Sequence, residues 1–423
     1  MKVFKFGGAS VKDAEAIKNV AKILNSYKGE KLIVVVSAMD KTTNALERLM
    51  NAYFNKEKNV RDIFNEVKTF HHNILKDLFP NEKHPVYDEV NNTFVEIDWV
   101  IEEEPKRSYN FLYDQIVSIG EFVSSKILSA YLNEVGITNK WLDARDLIQT
   151  DNTYREAIVN WESSTENINK IIPSVFNAPE NEVLVTQGFI GGTSENYTTT
   201  LGREGSDYTA AILAYCADAE EVVIWKDVPG VLNADPKWFE KTIKLDQLSY
   251  FDAIELSYYG ATVIHPKTIK PLQNKNIPLK VRSFLSPAEQ GTVIDKSESE
   301  LSTPCFIFKV DQLLITISPK DFSFIVEENL SDIFGIFAKH KVKMNLMQNS
   351  ALSFSVCIDN DKFKIPQLLE ELQKHFKVRY NENLELVTIR HYDQSTIDRV
   401  TEKKFILLEQ KSRTTAQIVM RNL

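Results

Sequence analysis

The chain has 423 residues, 43% of them hydrophobic and 26% charged, and a formal net charge of −9 at pH 7. This balance is typical of folded globular proteins and excludes a disordered chain, and the length predicts two or three domains. The negative charge disfavours non-specific binding to nucleic acid, although local lysines and glycine loops can still bind small anions.

The chain begins with alternating strand-like and helical segments. An apolar strand is predicted at 3–6, followed by a helix over 13–27 with two acidic residues in its first turn. The run KLIVVVSAM at 31–39 is continuous and β-branched. Such runs are typical of strands that helices cover on both faces of a parallel sheet.

Residues 45–130 are predicted to be mostly helical, with breaks near Pro80 and Pro105. Further strands are predicted at 182–190, 221–228 and 277–284. This order indicates a doubly wound α/β domain with a mainly parallel sheet over residues 1–295.

A polar segment rich in turn-forming residues, at 286–304, predicts a domain boundary. The chain beyond it has the β-α-β-β-α-β order of a ferredoxin-like module, complete over about 312–382. A short helical piece, STIDRVT, and a hairpin follow as far as Leu423. We interpret them as a truncated second module with a shrunken first helix and no last helix, so that 304–423 forms one region.

Four loops in the first region follow strands, where open α/β sheets bind ligands. The last of them opens a helix, whose free main-chain N–H groups favour an anion such as phosphate. Asp207 at that helix start also has a simpler interpretation as a capping residue. The loops are KFGGAS (5–10), VVSAMDKTTN (35–44), TQGFIGGT (186–193) and TLGREGSDYTAAILAYC (200–216).

Lys5 lies at the end of the first strand, immediately before a glycine pair. Gly7 and Gly8 have no side chains, so a ligand can approach the main chain closely beside the lysine. The alternative is a strand, a tight turn and a lysine whose ammonium group reaches solvent. This segment alone leaves both interpretations open.

Several common site types are missing from the sequence. It contains no P-loop, no Rossmann glycine motif in the required context, no H-E-x-x-H pair and no G-x-S-x-G elbow. The three cysteines are scattered, which argues against a disulfide framework or a structural zinc site. We predict no dedicated metal ligand among the side chains.

No apolar run approaches membrane-spanning length, and the first residues already form a strand pattern. We therefore expect a cytoplasmic protein with no membrane partner and no nucleic-acid partner.

Seven segments of the first region, in this order and spacing, resemble those of the aspartokinase family of amino acid kinases. The resemblance covers essentially residues 1–295 and continues into a tail similar to the ACT regulatory modules of that family. The segments are KFGGAS, VVSAMDKTTN, SIGEFVSSKIL, TQGFIGG, TLGREGSDYTA, WKDVPGVLNADPK and ELSYYGATVIHPKTI.

The resemblance implies an amino acid kinase fold and phosphorylation of the side-chain carboxylate of L-aspartate by ATP, with Mg²⁺. This reaction is the first step toward lysine, threonine and methionine. It also implies a homodimer formed through the ACT region. Two other interpretations stay open: a sibling amino acid kinase, and a catalytically weak or silent amino-acid sensor.

Carried over residue by residue, the resemblance implies three sets of site residues. The catalytic pair is Lys5 and Asp207. The substrate set is Ser37, Thr43, Glu121, Phe189, Arg203 and Ser206. The nucleotide set is Lys5, Gly7, Gly8, Ser10, Gly191, Lys226, Asp227, Asp235 and Lys237.

The chain departs from the family pattern at three positions. Thr262 stands where relatives often have a phosphate-contacting lysine, and Lys226 stands where many have threonine. We hypothesise that Lys226 restores the missing charge from the adjacent loop. Asp40 replaces a small residue, and its carboxylate would repel phosphates unless it points away or meets a metal ion.

The tail departs further. The effector-binding positions implied by the resemblance are Asn329, Leu330, Asn345, Asn349 and Ser350. Lysine-sensing relatives often carry acidic residues at the position of Asn345 and near Ala351. Without these carboxylates, we expect weak or absent inhibition by lysine.

Overall fold

The computed structural model describes residues 1–178, 182–239, 241–261, 264–297, 302–321 and 323–423. The contacts divide the chain into two compact units, each of which combines separate stretches of sequence. The first unit consists of Met1–Val231, Lys244–Ile254 and Val263–Ser299, and the second of Leu232–Ile243, Glu255–Thr262 and Glu300–Leu423.

The strands and helices are numbered in chain order. The strands are β1 (Lys2–Phe6), β2 (Leu32–Val36), β3 (Asn139–Trp141), β4 (Val183–Gln187), β5 (Ile190–Gly192), β6 (Thr198–Thr200), β7 (Glu221–Lys226), β8 (Val231–Leu232), β9 (Lys244–Leu245), β10 (Gln247–Ser249), β11 (Leu279–Ser283), β12 (Thr292–Asp295), β13 (Cys305–Ser318), β14 (Met344–Asn349), β15 (Phe354–Asp359), β16 (Lys377–Arg390), β17 (Lys404–Lys411) and β18 (Thr415–Asn422). The helices are α1 (Ala14–Asn25), α2 (Thr42–Phe54), α3 (Val60–Leu78), α4 (Val86–Glu102), α5 (Tyr109–Val117), α6 (Ile119–Glu134), α7 (Ala144–Leu147), α8 (Trp161–Phe176), α9 (Gly205–Cys216), α10 (Tyr250–Tyr259), α11 (Pro266–Lys275), α12 (Glu327–Lys339), α13 (Ile365–His375) and α14 (Gln394–Thr401).

The first unit is built on one twisted sheet. Among the described residues its strand order is β10-β12-β11-β7-β1-β2-β4-β3, and the pairs from β11 through β3 are parallel. Every residue of β2 is buried, as its unbroken run of leucine, isoleucine and valine predicts for a strand covered on both faces. The predicted doubly wound α/β fold is confirmed.

The helices of this unit also begin and end where the sequence indicates. The predicted helix at 13–27 is α1, and Asp13 is its N-cap, accepting a hydrogen bond from the Ala16 N–H at 2.8 Å. The predicted breaks near Pro80 and Pro105 fall between α3 and α4 and between α4 and α5. The strand predicted at 182–190 divides into β4 and the start of β5.

The second unit contains an antiparallel sheet with the order β14-β15-β13-β16-β18-β17. The long strand β13 serves two modules. Its residues 312–318 pair with β15 and with the first half of β16, whereas residues 305–309 pair with 386–390 of β16. Residues 305–309, the first part of β13, therefore act as the first strand of the truncated module, and the rest of β13 belongs to the complete module.

Separate cores support the two modules. The core of the complete module includes Ile315, Phe337 and Leu368, and that of the truncated one includes Phe306 and Ile418. No helix in the described part of the chain is both long and apolar enough to span a lipid bilayer.

Candidate active site

Four parallel strands of the first unit end at the same level. Phe6 of β1 is in register with Val36 of β2 and with Trp225 of β7, and Val36 is in register with Gln187 of β4. The loops that follow these strands therefore leave the sheet side by side. This edge is where open α/β sheets bind ligands.

Side-chain alternation decides which residues meet at this edge. Phe6 stacks on Trp225, with ring centroids 6.0 Å apart and planes 3° apart, on one face of the sheet. Lys5 and Lys226 are each one residue away, so both extend toward the opposite face. Asp207, in the first turn of α9, lies there between them.

The Asp207 carboxylate contacts two ammonium groups. Its Oδ1 lies 2.6 Å from Lys5 Nζ and its Oδ2 lies 3.6 Å from Lys226 Nζ. Burial opposes ionisation of Asp207, but the two positive charges outweigh it and hold the pKa of the carboxyl below its ordinary value. Two ammonium groups therefore converge on one carboxylate at the edge where open α/β sheets bind ligands, and ammonium groups suit an anionic ligand.

Gly8 lets two of the loops touch. A Cβ at Gly8 would lie 2.8 Å from the carbonyl oxygen of Ala38 and 2.9 Å from that of Asp40, which leaves no room for a side chain. The Asp40 N–H donates to the Gly8 carbonyl at 3.1 Å. The Asp40 backbone is left-handed, with φ of 46°, and the residue is exposed.

The turn after β1 brings Lys5 over the main chain. A Cβ at Gly7 would lie 3.4 Å from Lys5 Nζ. Ser10 closes the turn, because its N–H donates to the Gly7 carbonyl at 2.9 Å and its hydroxyl to the Trp225 carbonyl at 3.4 Å. Gly7, Gly8 and Ser10 are thus brought together with Lys5, and the solvent-directed alternative for this lysine is wrong.

Glu121 presents a buried carboxylate at the start of α6. Its Oε1 accepts from the Ala38 N–H at 3.3 Å, while its Oε2 is buried without a hydrogen-bond partner among the described residues. Burial raises the pKa of Glu121 to about 8, against the effect of that main-chain hydrogen bond. A buried carboxylate oxygen with no donor suits a cationic group of a ligand.

Ser37 lies on the same loop as Ala38, and Thr43 lies in the helix that follows this loop. The Ser37 N–H donates to the Phe6 carbonyl at 3.1 Å, and the Ser37 carbonyl accepts from the Ser124 hydroxyl at 2.7 Å. Thr43 is half-buried in the first turn of α2.

Phe189 and Ser206 meet where β4 ends against α9. Phe189 has a left-handed backbone, with φ of 71°, and its N–H donates to the Thr209 hydroxyl at 3.0 Å. A Cβ at Gly188 would lie 2.5 Å from the Ser206 side chain, so only glycine permits this approach. Arg203 is exposed just before α9, and within the described part of the chain no carboxylate pairs with it.

The predicted glycine-rich loop at 186–193 contains a short strand. Gly191 and Gly192 are residues of β5, paired with Thr199 and Thr198. A Cβ at Gly191 would lie 2.8 Å from the Thr150 side chain, and the Gly192 N–H donates to a carbonyl oxygen at 2.9 Å. Close packing thus requires glycine at 191, and a role of Gly191 in nucleotide binding stays a prediction.

The remaining predicted nucleotide residues are divided between the two units. Asp227 is exposed directly after β7. Asp235 and Lys237 belong to the second unit, where the Lys237 N–H donates to Asp235 Oδ1 at 2.9 Å. Thr262 lies outside the described residues.

Asn345 has its whole side-chain amide engaged inside the second unit. Its Oδ1 accepts from Lys309 Nζ at 2.8 Å, and its Nδ2 donates to Gln312 Oε1 and to Asp359 Oδ1, both at 2.9 Å.

The other four predicted effector positions have different structural environments. Asn329 accepts from the Val326 N–H at 3.1 Å and so caps α12, and Leu330 packs against the module core. Asn349, the last residue of β14, and Ser350, which follows it, are both exposed.

Asp114 is a buried polar residue near the site that was not predicted from the sequence. It is fully buried on α5 and accepts main-chain hydrogen bonds from two distant segments. A carboxylate in the apolar helical stretch FLYDQIVSIG was the available signal.

Residues 1–283 match the model of the amino acid kinase family. The lysine-sensitive aspartokinase 3 of Escherichia coli is 31% identical over 418 residues, covering 96% of this chain and 90% of that protein. The crystal structure of E. coli aspartokinase III in complex with aspartate and ADP superposes with a TM-score of 0.83 at 28% identity, covering 99% of this chain and 96% of that one.

Some relatives are longer. A chloroplastic bifunctional aspartokinase/homoserine dehydrogenase 2 of Arabidopsis thaliana is 29% identical over 386 residues, and the match spans 88% of this chain but only 42% of that protein. The match to the family model covers more than half of the chain, and the E. coli enzyme matches over nearly its whole length. The chain therefore belongs to the amino acid kinase family, within its aspartokinase branch.

Proposed function

We propose that the chain transfers the γ-phosphoryl group of ATP to the side-chain carboxylate of L-aspartate, the first step toward lysine, threonine and methionine. The observation that carries this proposal is the cluster of Lys5, Asp207 and Lys226 at the carboxyl edge of the sheet, in which Lys5 and Asp207 are buried. The likeness to an aspartokinase bound to aspartate and ADP supports the choice of substrates.

The proposed reaction does not require a strong general base. A carboxylate is already a nucleophile at neutral pH, so its oxygen forms the new bond to phosphorus while the bond to the β–γ bridging oxygen breaks. The products are 4-phospho-L-aspartate and ADP. The protein must hold two anions in line and offset the charge that they bring together.

Lys5 and Lys226 supply positive charge in this proposal. Lys5, held over the glycine turn, contacts the transferring phosphoryl group, and Asp207 orients both lysines by sharing its two oxygens between them. Fixed charges of this kind stabilise a transition state without reorganisation when the reaction occurs. Lys226 thus acts on the phosphate side and replaces the family lysine that is missing at position 262.

Aspartate is held at both ends. Arg203 offers a planar fork for the α-carboxylate, and the unpaired oxygen of Glu121 accepts from the α-ammonium group. Further contacts are proposed for Ser37, Thr43, Ser206 and the main chain at Phe189.

The nucleotide phosphates approach the main chain at Gly7, Gly8 and Ser10. Asp227, Asp235 and Lys237 are proposed for the adenine and ribose end. No three His, Cys, Asp or Glu side chains in the described ranges come together as a metal-ligand set. We therefore propose that Mg²⁺ is held mainly by the ATP phosphates, where it offsets their charge.

Residues 1–295 form the catalytic domain in this proposal, and 304–423 form an ACT-type regulatory region. Within that region the module at about 312–382 is complete and the second module is truncated.

The proposal predicts ATP turnover that depends on both aspartate and Mg²⁺. Lys5→Ala should lower kcat by about two to three orders of magnitude, because a fixed charge at the phosphoryl group is lost. A coupled ADP-release assay with aspartate, glutamate or acetylglutamate as acceptor measures this. Equal turnover with either alternative acceptor identifies a sibling kinase, and no turnover with any acceptor identifies a silent sensor.

Lys226→Thr provides a contrasting variant in the same assay. It should chiefly raise the KM for ATP, and adding Thr262→Lys should partly restore it. The exposed Lys58→Thr serves as the control for loss of one surface charge. An unchanged KM for ATP in Lys226→Thr removes Lys226 from the site.

The raised pKa of Glu121 predicts a pH effect on stability. Because the folded protein keeps this carboxyl protonated up to about pH 8, its contribution to stability is full below about pH 4.5 and declines as pH rises to about 8. Glu121→Gln is neutral throughout, so its Tm relative to the wild type should increase between pH 5 and pH 8.5. Scanning fluorimetry without aspartate measures this difference.

The same variant should bind aspartate more weakly, because the Glu121 carboxyl can ionise beside the α-ammonium group, whereas an amide cannot. Glu57→Gln, at an exposed position, is the matched control. It should change neither the pH dependence of Tm nor the affinity for aspartate. A Tm difference that stays flat with pH in Glu121→Gln contradicts the buried, unpaired carboxyl.

We also propose a homodimer formed through the regulatory sheet. Strands β14 and β17 lie at its two edges, and the exposed side chains of Met347 and Ile406 stand on them. Sedimentation equilibrium at micromolar concentration should give twice the chain mass of 48.5 kDa. Met347→Asp and Ile406→Asp identify the edge that pairs, and a monomeric wild type refutes the dimer.

Inhibition by lysine should be weak or absent. Lys309 already occupies Asn345 Oδ1, and each charge-assisted contact that a free lysine cannot make forfeits about 1.5–3 kcal/mol. Titration of lysine, with threonine in parallel, against the forward reaction measures this. Strong sub-millimolar inhibition by lysine contradicts the argument from Asn345.

A further inference from the structure

Asp114 joins two segments that are far apart in sequence. Its Oδ2 accepts from the Arg155 N–H at 2.9 Å and from the Thr200 N–H at 2.8 Å, and its Oδ1 accepts from the Thr200 hydroxyl at 2.7 Å. The side chain is fully buried, and burial raises its pKa to about 6. At pH 7.5 the group is therefore ionised and can accept at both oxygens.

Gln115, the next residue of α5, also forms hydrogen bonds to strand β6. Gln115 Nε2 donates to the Thr198 carbonyl at 2.8 Å, and Gln115 Oε1 accepts from the Thr198 N–H at 3.3 Å. Asp114 and Gln115 together bind alternate residues of β6, much as a paired strand would. The end of α5 and strand β6 thus form one rigid piece.

Strand β6 leads directly into residues 201–203, a short segment that ends at Arg203 and is called the arm below. The Leu201 N–H donates to the Phe189 carbonyl at 2.8 Å. Gly202 is left-handed, with φ of 77°, and a Cβ there would lie 3.2 Å from the Arg155 carbonyl oxygen. The two segments bound by Asp114 therefore also fix the main chain immediately before Arg203.

On its other side, Asp114 is tied to Glu121. Helix α5 ends at Val117 and α6 begins at Ile119, so only Ser118 separates the helix of Asp114 from that of Glu121. The Glu121 N–H donates to the Ser118 carbonyl at 3.1 Å across this junction. A single buried carboxylate thus links the helices leading to Glu121 with the strand leading to Arg203.

We propose that Asp114 is a positioning residue that sets the spacing between Glu121 and Arg203 and thereby shapes the aspartate site. The inference rests on the proposed function, in which these two residues hold the two ends of aspartate. A carboxylate is required because three donors, two of them main-chain N–H groups, converge on its two oxygens. An amide of the same shape would turn two N–H donors of its own toward them.

The test is a steady-state comparison of Asp114→Asn with the wild type. We expect the KM for aspartate to rise about tenfold, because the arm loses at least one buried hydrogen bond. The KM for ATP and kcat should change by no more than about threefold, since Asp114 does not support the lysine cluster. Adding Arg203→Ala should raise the aspartate KM less than it does in the wild type, because the arm is already misplaced.

A milder pair of variants keeps the test decisive if Asp114→Asn does not fold. Thr200→Val removes only the hydroxyl donor and should raise the KM for aspartate, as Asp114→Asn does. Thr200→Ser retains the hydroxyl donor and should keep the KM for aspartate at the wild-type value. Asn139→Ala is the matched control, because Asn139 makes three buried or part-buried hydrogen bonds at the start of β3, away from the carboxyl edge of the sheet. It should lower Tm without raising the aspartate KM.

Two results overturn the inference. One is an unchanged aspartate KM in folded Asp114→Asn or Thr200→Val, and the other is an equal rise in Asn139→Ala, which would show a general effect of lost stability. A wild type without aspartate-dependent turnover refutes the proposed function instead, so the two failures are distinguishable.

Discussion

The candidate site depends on two ammonium groups that share one buried carboxylate. Lys5 and Lys226 come from neighbouring parallel strands, and Asp207 comes from the first turn of a helix, so the cluster requires the sheet and that helix to be assembled together. Together the two ammonium groups supply the positive charge that an anionic ligand requires, and their partial burial strengthens the attraction.

Close main-chain approaches bring the rest of the site to this cluster. Gly8 brings the loop after β1 against the loop after β2, and Gly188 brings the end of β4 against Ser206 of α9. The same crowding leaves Glu121 buried, with one oxygen that has no hydrogen-bond partner among the residues that the structure describes. Such a carboxyl is costly in the empty protein, and a cationic ligand group relieves that cost.

The second unit is organised by shared strands rather than by two modules in succession. Strand β13 contributes its first half to the truncated module and its second half to the complete one. In the complete module, the side-chain amide of Asn345 forms hydrogen bonds with Lys309, Gln312 and Asp359. A position expected to contact an effector is thus satisfied from within the chain.

The sequence by itself determined the α/β class, most strand and helix positions and the family, because hydrophobic periodicity and glycine-rich loops are local signals. It also pointed to Lys5, Asp207 and Glu121. It could not show that Gly191 lies in a strand and packs against Thr150, because that contact joins residues that are distant in the chain. Only the tertiary structure placed Lys226 beside Asp207 and joined Asp114 to β6, because strand register and helix packing bring together residues that no sequence spacing relates.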